Sequence, residues 1–235
     1  TWVDNTMASQ LIFTVLLCLA TAYGSPVGTD APSSGPYIEL YSGTGQTGAS
    51  VTITEYAHDL SILGWDDLAR SFCAVGVWIL YDNTNYNMNN GPFSSWSEVT
   101  INAERGCHDI PVTHHGKLSS VRFSGSGDLR DETATMYHGY FFMGGEDLII
   151  RDMDELGDFE REASSMIVTG ESTWTVYSEE YYEGISICLE PWNIGNSQYV
   201  GAFEVNDIGM PNNVISSIKK GCFSKNVIKY QPKLQ

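Results

Sequence analysis

An internal repeat limits the possible fold more than any other feature of this sequence. The segments Trp78–Tyr86 and Trp174–Tyr182 both read W-x-x-Y-x4-Y, and they begin 96 residues apart. Tyr41 and Tyr137 are also 96 residues apart, and each lies 40 residues before the first tyrosine of the next W-x-x-Y motif. Self-similarity at a fixed spacing is typical of repeated structural units. The sequence therefore predicts four units, arranged as two pairs.

Each unit has the pattern of β-structure. Apolar and polar residues alternate with a period of two in several short runs, which are Tyr37–Tyr41, Val51–Thr54, Val99–Ile101 and Ile185–Leu189. Gly, Asn, Asp, Ser and Pro separate these runs at short intervals. A unit of this length has room for about four short strands, which is a Greek key. Two Greek keys can close one core as a sandwich, so we expect an all-β protein with two sandwich domains.

Composition and charge narrow the class of protein further. The chain is 42% hydrophobic, which is enough apolar material to build cores. It carries 29 acidic and 12 basic residues, a formal net charge of −17. Nucleic acids and anionic membrane surfaces attract clustered Lys and Arg, so we expect neither as a partner. An acidic surface favours solubility and is compatible with divalent cations.

The N-terminal region has the pattern of an export signal. Met7 precedes the apolar run Leu11–Ala20, which is too short to span a bilayer but typical of a signal peptide core. Small residues follow, and they predict cleavage near Gly24. No other segment has the length and apolar character of a membrane span. The sequence therefore predicts a secreted, extracellular protein.

Cysteine usage agrees with export. Cleavage would remove Cys18 and leave an even number of cysteines, two in each half, which suggests disulfides in an exported chain. Four cysteines allow three connectivities, and free thiols are a further alternative. Pairing within each half predicts Cys73–Cys107 and Cys188–Cys222. In the chain-entropy model each bond would contribute roughly 3–4 kcal/mol.

Two segments carry a resemblance to a known family. Tyr137–Gly144 and Tyr177–Gly184 read aromatic-x4-aromatic-x-Gly, which is similar to the Greek-key signature of the βγ-crystallins. In that signature the aromatic rings pack across a folded hairpin, and the glycine adopts a conformation that other residues resist. The first two units depart from it, with Gln46 in place of the second aromatic residue and Met88 in place of the glycine.

The resemblance extends over about residues 36 to 225 and implies two βγ-crystallin-like Greek-key β-sandwich domains. The predicted boundaries are 1–24 for a leader and signal peptide, 25–35 for an N-terminal linker, 36–124 for the first domain, 125–132 for a Gly/Ser-containing linker, 133–225 for the second domain and 226–235 for a C-terminal tail.

The resemblance also implies calcium as a ligand. Many βγ-crystallins bind calcium through the motif N/D-N/D-x-x-S/T-S, and the two motifs of a domain share their ions reciprocally. One motif supplies an Asn or Asp side chain and a backbone carbonyl, and the other supplies a hydroxyl. The corresponding segments of this chain are Asp66–Ser71, His115–Ser120, Glu160–Ser165 and Asn212–Ser217, of which only the last matches fully.

The departures from the motif predict about one usable site per domain. Arg70 and Arg161 occupy positions where the reciprocal ions need oxygen ligands, and a guanidinium cannot bind a cation. The remaining ligands are Asp66, Asp67, Leu68 and Ser119 in the first domain, and Asn212, Asn213, Val214 and Ser164 in the second. Neutral Asn ligands in extracellular loops predict a dissociation constant of about 10⁻⁴–10⁻³ M. The alternative is structural, because such serines and Asn or Asp pairs also form ordinary loop hydrogen bonds.

Other constellations are weaker predictors of chemistry. Cys107, His108, His114 and His115 could suggest zinc, but adjacent histidines on a strand point to opposite faces. The acidic run Asp152–Glu155 is typical of a solvated loop rather than of a glycosidase carboxylate pair. We therefore expect a non-enzymatic protein with a structural, stabilising role. The alternative is an extracellular module that binds carbohydrate or protein, for which an exposed cluster of aromatic side chains such as Tyr140, Phe141 and Tyr181 would be the site.

Overall fold

The computed structural model describes residues 35–90 and 94–232. In this part of the chain the regular structure consists of β-strands and short 3₁₀ turns. The strands are β1 (Tyr37–Tyr41), β2 (Ser50–Ile53), β3 (Ser71–Tyr81), β4 (Ser97–Asp109), β5 (Ser120–Phe123), β6 (Thr133–Tyr137), β7 (Glu146–Ile149), β8 (Ser165–Thr169), β9 (Trp174–Tyr177), β10 (Ser186–Glu190), β11 (Trp192–Gly195), β12 (Gln198–Glu204), β13 (Ser217–Lys220) and β14 (Val227–Lys229). The 3₁₀ turns are Leu60–Leu63, Asn85–Asn87, Val112–His114, Tyr140–Phe142, Gly157–Phe159 and Glu180–Tyr182.

The predicted signal peptide, including Cys18, lies outside the described residues. Among the helical segments that are described, none has the length and apolar character needed to cross a membrane.

The first half of the chain is built around one long strand. The N-terminal part of β3 pairs with β1, and its C-terminal part pairs with β5. The sheet has the order β2-β1-β3-β4, and β5 joins it through β3. β3 therefore continues from the first unit into the second, which explains how two units can share one sheet.

The second half forms two sheets, with the orders β13-β9-β10-β14 and β11-β12-β8-β6-β7. β12 belongs to the fourth unit but pairs with β8 of the third unit. This exchange of a strand between units is the Greek-key connection that the repeat predicted. The all-β prediction is confirmed.

Each half has a hydrophobic core of its own. Trp78 and Trp174, the tryptophans of the two W-x-x-Y motifs, are fully buried, one in each core. The first core extends from Ile38 to Val121 in sequence, and the second from Ala134 to Ile218. The prediction that both tryptophans belong to the core is confirmed.

A third apolar cluster joins the halves. Val77 and Ile79 on β3 belong to the same cluster as Ile167 on β8 and Val200 on β12. The described residues therefore belong to one compact unit. The division into domains at 124 and 133 stays a prediction.

The segment predicted as a linker, 125–132, is well packed where it begins, together with Ser124 before it. Ser124 is buried and accepts a hydrogen bond from the Tyr137 hydroxyl at 2.8 Å. The Gly125 amide donates to Thr135 Oγ1 at 3.2 Å, and Leu129 is buried in the third cluster. These contacts fix the connection between the halves.

Both predicted disulfides are present. Cys73 and Cys107 face each other in the β3–β4 register and are bonded. Cys188 on β10 is bonded to Cys222, which follows β13. Of the three connectivities that the sequence allowed, the structure has the one that pairs cysteines within each half.

The folded hairpins also follow the prediction. Three aromatic pairs, Tyr81–Tyr86, Tyr137–Phe142 and Tyr177–Tyr182, each have ring centroids 5.6 Å apart. The signature glycines Gly48, Gly144 and Gly184 have φ values of 85°, 77° and 78°. At Met88, which lacks glycine's freedom, φ is −54°, and the preceding Asn87 takes the left-handed conformation instead. The second unit therefore builds its hairpin differently.

A buried arginine connects the two halves. Arg122, on β5, is 1% exposed and donates to the carbonyls of Gly144 at 2.9 Å and Phe142 at 2.7 Å. Its guanidinium lies 3.3 Å from Glu146 Oε2 and 4.7 Å from the ring centroid of Tyr137. The first half thus places a cation inside the hairpin of the third unit.

Candidate metal centre

The four motif loops share one backbone conformation. The second residue of each motif has a left-handed φ between 56° and 65°, and these residues are Asp67, Gly116, Arg161 and Asn213. The fifth residue of each motif donates its amide to the tyrosine carbonyl that opens its own unit, at 2.8–2.9 Å. The loops are therefore structurally equivalent, as the sequence alignment of the motifs required.

In the second half the two motifs meet at oxygen atoms. Ser164 Oγ donates to the His138 carbonyl at 2.6 Å and lies 3.3 Å from Asn213 Oδ1. Asn212 Oδ1 is buried, and no hydrogen-bond donor reaches it from the described residues. Hydroxyl, amide and carbonyl oxygens are ligands that suit calcium. The reciprocal pairing of Asn213 with Ser164 that the resemblance implied is thus present in the geometry.

The reverse pairing in the same half contains a cation of the chain itself. Arg161 Nε lies 3.4 Å from Ser216 Oγ, and Ser216 Oγ lies 3.2 Å from the Ser178 carbonyl. These oxygens correspond to Ser164 Oγ and the His138 carbonyl in the first pairing. The guanidinium therefore stands beside the oxygens that a second ion would need, and it repels a cation.

The first half has the same crossing of loops. The Asp67 amide donates to the Leu118 carbonyl at 3.1 Å, and the Gly116 amide donates to Ala69 at 3.3 Å. Desolvation and the neighbouring charge of Asp66 raise the pKa of Asp67, which is an exposed residue. A bound cation would relieve this repulsion between two carboxylates. No contact between Asp67 and Ser119 is seen in the described residues, so the first-half site rests on loop equivalence.

Solved structures identify the architecture. Geodin, a βγ-crystallin from Geodia cydonium, matches with a TM-score of 0.59 and 19% identity, over 80% of this chain and 99% of its own. The chain has the βγ-crystallin fold. A βγ-crystallin from an archaeon matches with a TM-score of 0.32 and 26% identity over 38% of this chain and 96% of its own. A βγ-crystallin from Ciona intestinalis matches with a TM-score of 0.32 and 25% identity over 37% and 98%. No protein-family model matches the chain, and no curated protein matches it significantly.

The last serine of each motif has a role in this fold that sequence reasoning gave only as an alternative. Each of these hydroxyls donates to a hairpin carbonyl at 2.6–2.7 Å and accepts an amide at 3.0–3.1 Å, and the serines are Ser71, Ser120, Ser165 and Ser217. The four repeats thus use one serine to hold the folded hairpin against the following strand. In the second half Ser164, the residue before Ser165, is the serine that contacts Asn213.

Replacing Ser165 with alanine should therefore destabilise the protein by about 1–3 kcal/mol, because a buried carbonyl and a buried amide both lose their partner. Urea unfolding followed by tryptophan fluorescence would measure the change. Ser50, an exposed strand serine, gives the matched control, and its alanine variant should unfold like the wild type. Equal midpoints for the two variants would contradict the structural role of Ser165.

The remaining candidates do not converge on a metal. Within residues 35–90 and 94–232 no group of three or more His, Cys, Asp or Glu side chains is placed to hold an ion. His114 stacks on Trp96 at 4.4 Å, and Cys107 is bonded to Cys73. In the same part of the chain no ring contact joins the exposed aromatic residues Phe141 and Tyr181. A cleft of about 240 Å³ lies between the second and third hairpins, with Tyr140 in its wall.

Proposed function

We propose that this chain is a non-enzymatic, extracellular protein that binds calcium, with about one ion in each half, and that calcium stabilises its fold. The observation that carries the proposal is the convergence of Ser164 Oγ, Asn213 Oδ1 and the His138 carbonyl, beside the unpartnered Asn212 Oδ1. Val214 would add its backbone carbonyl. The two disulfides are compatible with an extracellular location.

Calcium would stabilise the protein because it would bind only to the folded chain. The ligands come from separate loops, with Ser164 26 residues from His138 and 49 residues from Asn213, so the unfolded chain does not hold them together. An ion that binds only the folded protein stabilises it by mass action, by about 1.4 kcal/mol per site at ten times the dissociation constant. Calcium would also tie together the two Greek keys of one half.

Calorimetric titration of the chelator-treated protein, with thermal melts in parallel, tests the proposal. The wild type should bind about two ions and melt at a higher temperature with calcium. Ser164→Ala and Ser119→Ala should each remove one ion, because each removes a ligand from one half. Asn226→Ala, which changes an exposed residue outside the four motifs, serves as the control and should bind as the wild type does.

The substitution Arg161→Asn should add a calcium site rather than remove one. It removes the guanidinium beside Ser216 and supplies an amide oxygen, and Asn tolerates the left-handed conformation at this position. We expect this variant to bind one more ion than the wild type. Four equal sites in the wild type would contradict the role assigned to Arg161. No heat and no shift in melting at millimolar calcium would contradict calcium binding itself and favour the carbohydrate- or protein-binding alternative.

A further inference from the structure

β7 forms an open edge of the five-stranded sheet. It is the last strand in the order β11-β12-β8-β6-β7, and it pairs only with β6 in the described structure. The His138 amide donates to the Gly145 carbonyl, so this pair is a hydrogen-bonded pair of the antiparallel ladder. Hydrogen-bonded and non-hydrogen-bonded pairs alternate along such a ladder. The backbone groups of Leu148 therefore point away from β6. The strand ends at Ile149, and the same alternation continued one residue further gives Ile150 an outward-pointing backbone.

This edge is four residues long and begins with two acidic residues, Glu146 and Asp147, but its other end is apolar. Leu148 is 42% exposed, and Ile150, which follows the strand, is 63% exposed. Together with Asp147, Ile149, Arg151 and Met153 they line a groove of about 290 Å³. An open edge with apolar side chains is a template for another strand.

We propose that β7 and the two residues that follow it, Ile150 and Arg151, bind the same segment of a second copy of the chain, in an antiparallel pair related by a two-fold axis at Ile149. In this register Leu148 lies opposite Ile150 of the partner subunit, and Asp147 lies opposite Arg151 of the partner subunit. Because the axis repeats every contact, the pair contains two apolar contacts and two ion pairs.

The charges at the two ends of this segment favour this register over one shifted by two residues. Asp147 and Arg151 form no ion pair with any other described residue, so both charges are free to pair across the axis. The residues whose backbone groups point outward, Leu148 and Ile150, are also the ones that face each other as a hydrogen-bonded pair. A shift by two residues would place Arg151 opposite Ile149 and lose the ion pairs.

The expected dimer is weak. About five residues from each copy take part, which places the interface at the small end of specific contacts. Each copy carries a net charge of −17, and this charge opposes association over longer distances. Edge pairing of this kind does not involve the candidate calcium ligands, so it should persist in a chelator.

Sedimentation velocity of the full chain, between ~10 μM and ~1 mM and in a chelator, tests the proposal. The wild type should pass from monomer to dimer over this range. Asp147→Lys and Arg151→Glu should each remain monomeric, because each places like charges opposite one another. A 1:1 mixture of these two variants should recover the dimer, because each then meets the opposite charge.

Ile150→Lys should abolish dimerisation, whereas Ile62→Lys, which changes an equally exposed isoleucine elsewhere, should leave it intact. Thermal melts of every variant check that it is folded. A monomeric wild type at ~1 mM would overturn the proposal. A dimer that all the variants retain would also overturn it and would point to exchange of domains between chains.

Discussion

Replacing Arg122 with methionine should lower the free energy of unfolding by about 3–5 kcal/mol, because it removes one partner of a buried ion pair. Methionine fills similar space but donates no hydrogen bond, so the Gly144 carbonyl loses its donor and the Phe142 carbonyl keeps only the Tyr81 hydroxyl. Glu146 would remain buried without its cation. Burial already raises the pKa of Glu146, and Arg122 is the main group that lowers it.

A second substitution separates the charge from the packing. Arg122→Met combined with Glu146→Gln should recover part of the lost stability, because the uncompensated carboxylate is then gone. Arg130→Met, which breaks an ion pair on the surface, should leave the unfolding midpoint in denaturant unchanged. If the double variant were no more stable than Arg122→Met alone, the ion pair would not be the cause of the loss.

The location of Arg122 shows where sequence reasoning ends. In the run Val121-Arg122-Phe123 the arginine alternates with residues that face the first core. For a single sandwich domain this pattern places Arg122 on the solvent side of the strand. It becomes buried only because the second half covers that face, and the arrangement of two domains is not encoded in the period of one strand.

The spacing of the repeat, by contrast, predicted most of the fold. Its spacing predicted the paired tyrosines, the buried tryptophans and the pairing of cysteines within each half, since equivalent residues in repeated units occupy equivalent places. It could not show that the hairpin containing Met88 is built differently from the others. Met88 breaks the signature, and the alternative backbone depends on which neighbouring residue accepts the left-handed conformation.

The candidate metal site was predictable in part for a similar reason. The motifs identified the loops and which serine faces which asparagine, because the reciprocal arrangement links their sequence positions. The motifs predicted that Arg161 shares the reverse site with Ser216, but they did not give the direction of the guanidinium, since a long side chain on a loop can take many directions. They placed Ser119 and Ser164 as ligands but did not show that the next serine in each case, Ser120 or Ser165, bonds to its own hairpin, because these partners meet only in the folded chain.

Replacing Glu204 with glutamine should have the second large effect on the free energy of unfolding, and the size of this effect depends on pH. Glu204, at the end of β12, accepts a hydrogen bond from the Phe141 amide at 2.9 Å through Oε1. Its other oxygen is buried and has no hydrogen-bond partner in the described part of the chain. Burial raises the pKa of Glu204 from an ordinary value of 4.5 to about 7, although the Phe141 amide lowers it in part and the charge of Asp207 adds to the rise.

The raised pKa means that the folded protein binds this proton more tightly than the unfolded chain does. The stability linked to it is fully present below about pH 4.5 and is lost as the pH rises through about 7. Glutamine cannot ionise, so Glu204→Gln should be more stable than the wild type by about 2–3 kcal/mol near pH 8 and equally stable near pH 4. Denaturant unfolding of both proteins across this range measures the difference.

Asp109 supplies the matched control for this effect. Its Oδ1 accepts the Gly45 amide at 2.7 Å, in the hairpin of the first unit that corresponds to the Phe141 hairpin, but it does so in an exposed setting. Asp109→Asn therefore changes the same kind of hydrogen bond without relieving a buried charge, and no gain in stability should develop as the pH rises. A gap between Glu204→Gln and the wild type that stayed constant from acid to alkaline pH would show that shape or hydrogen bonding, rather than the buried charge, sets the energy at this position.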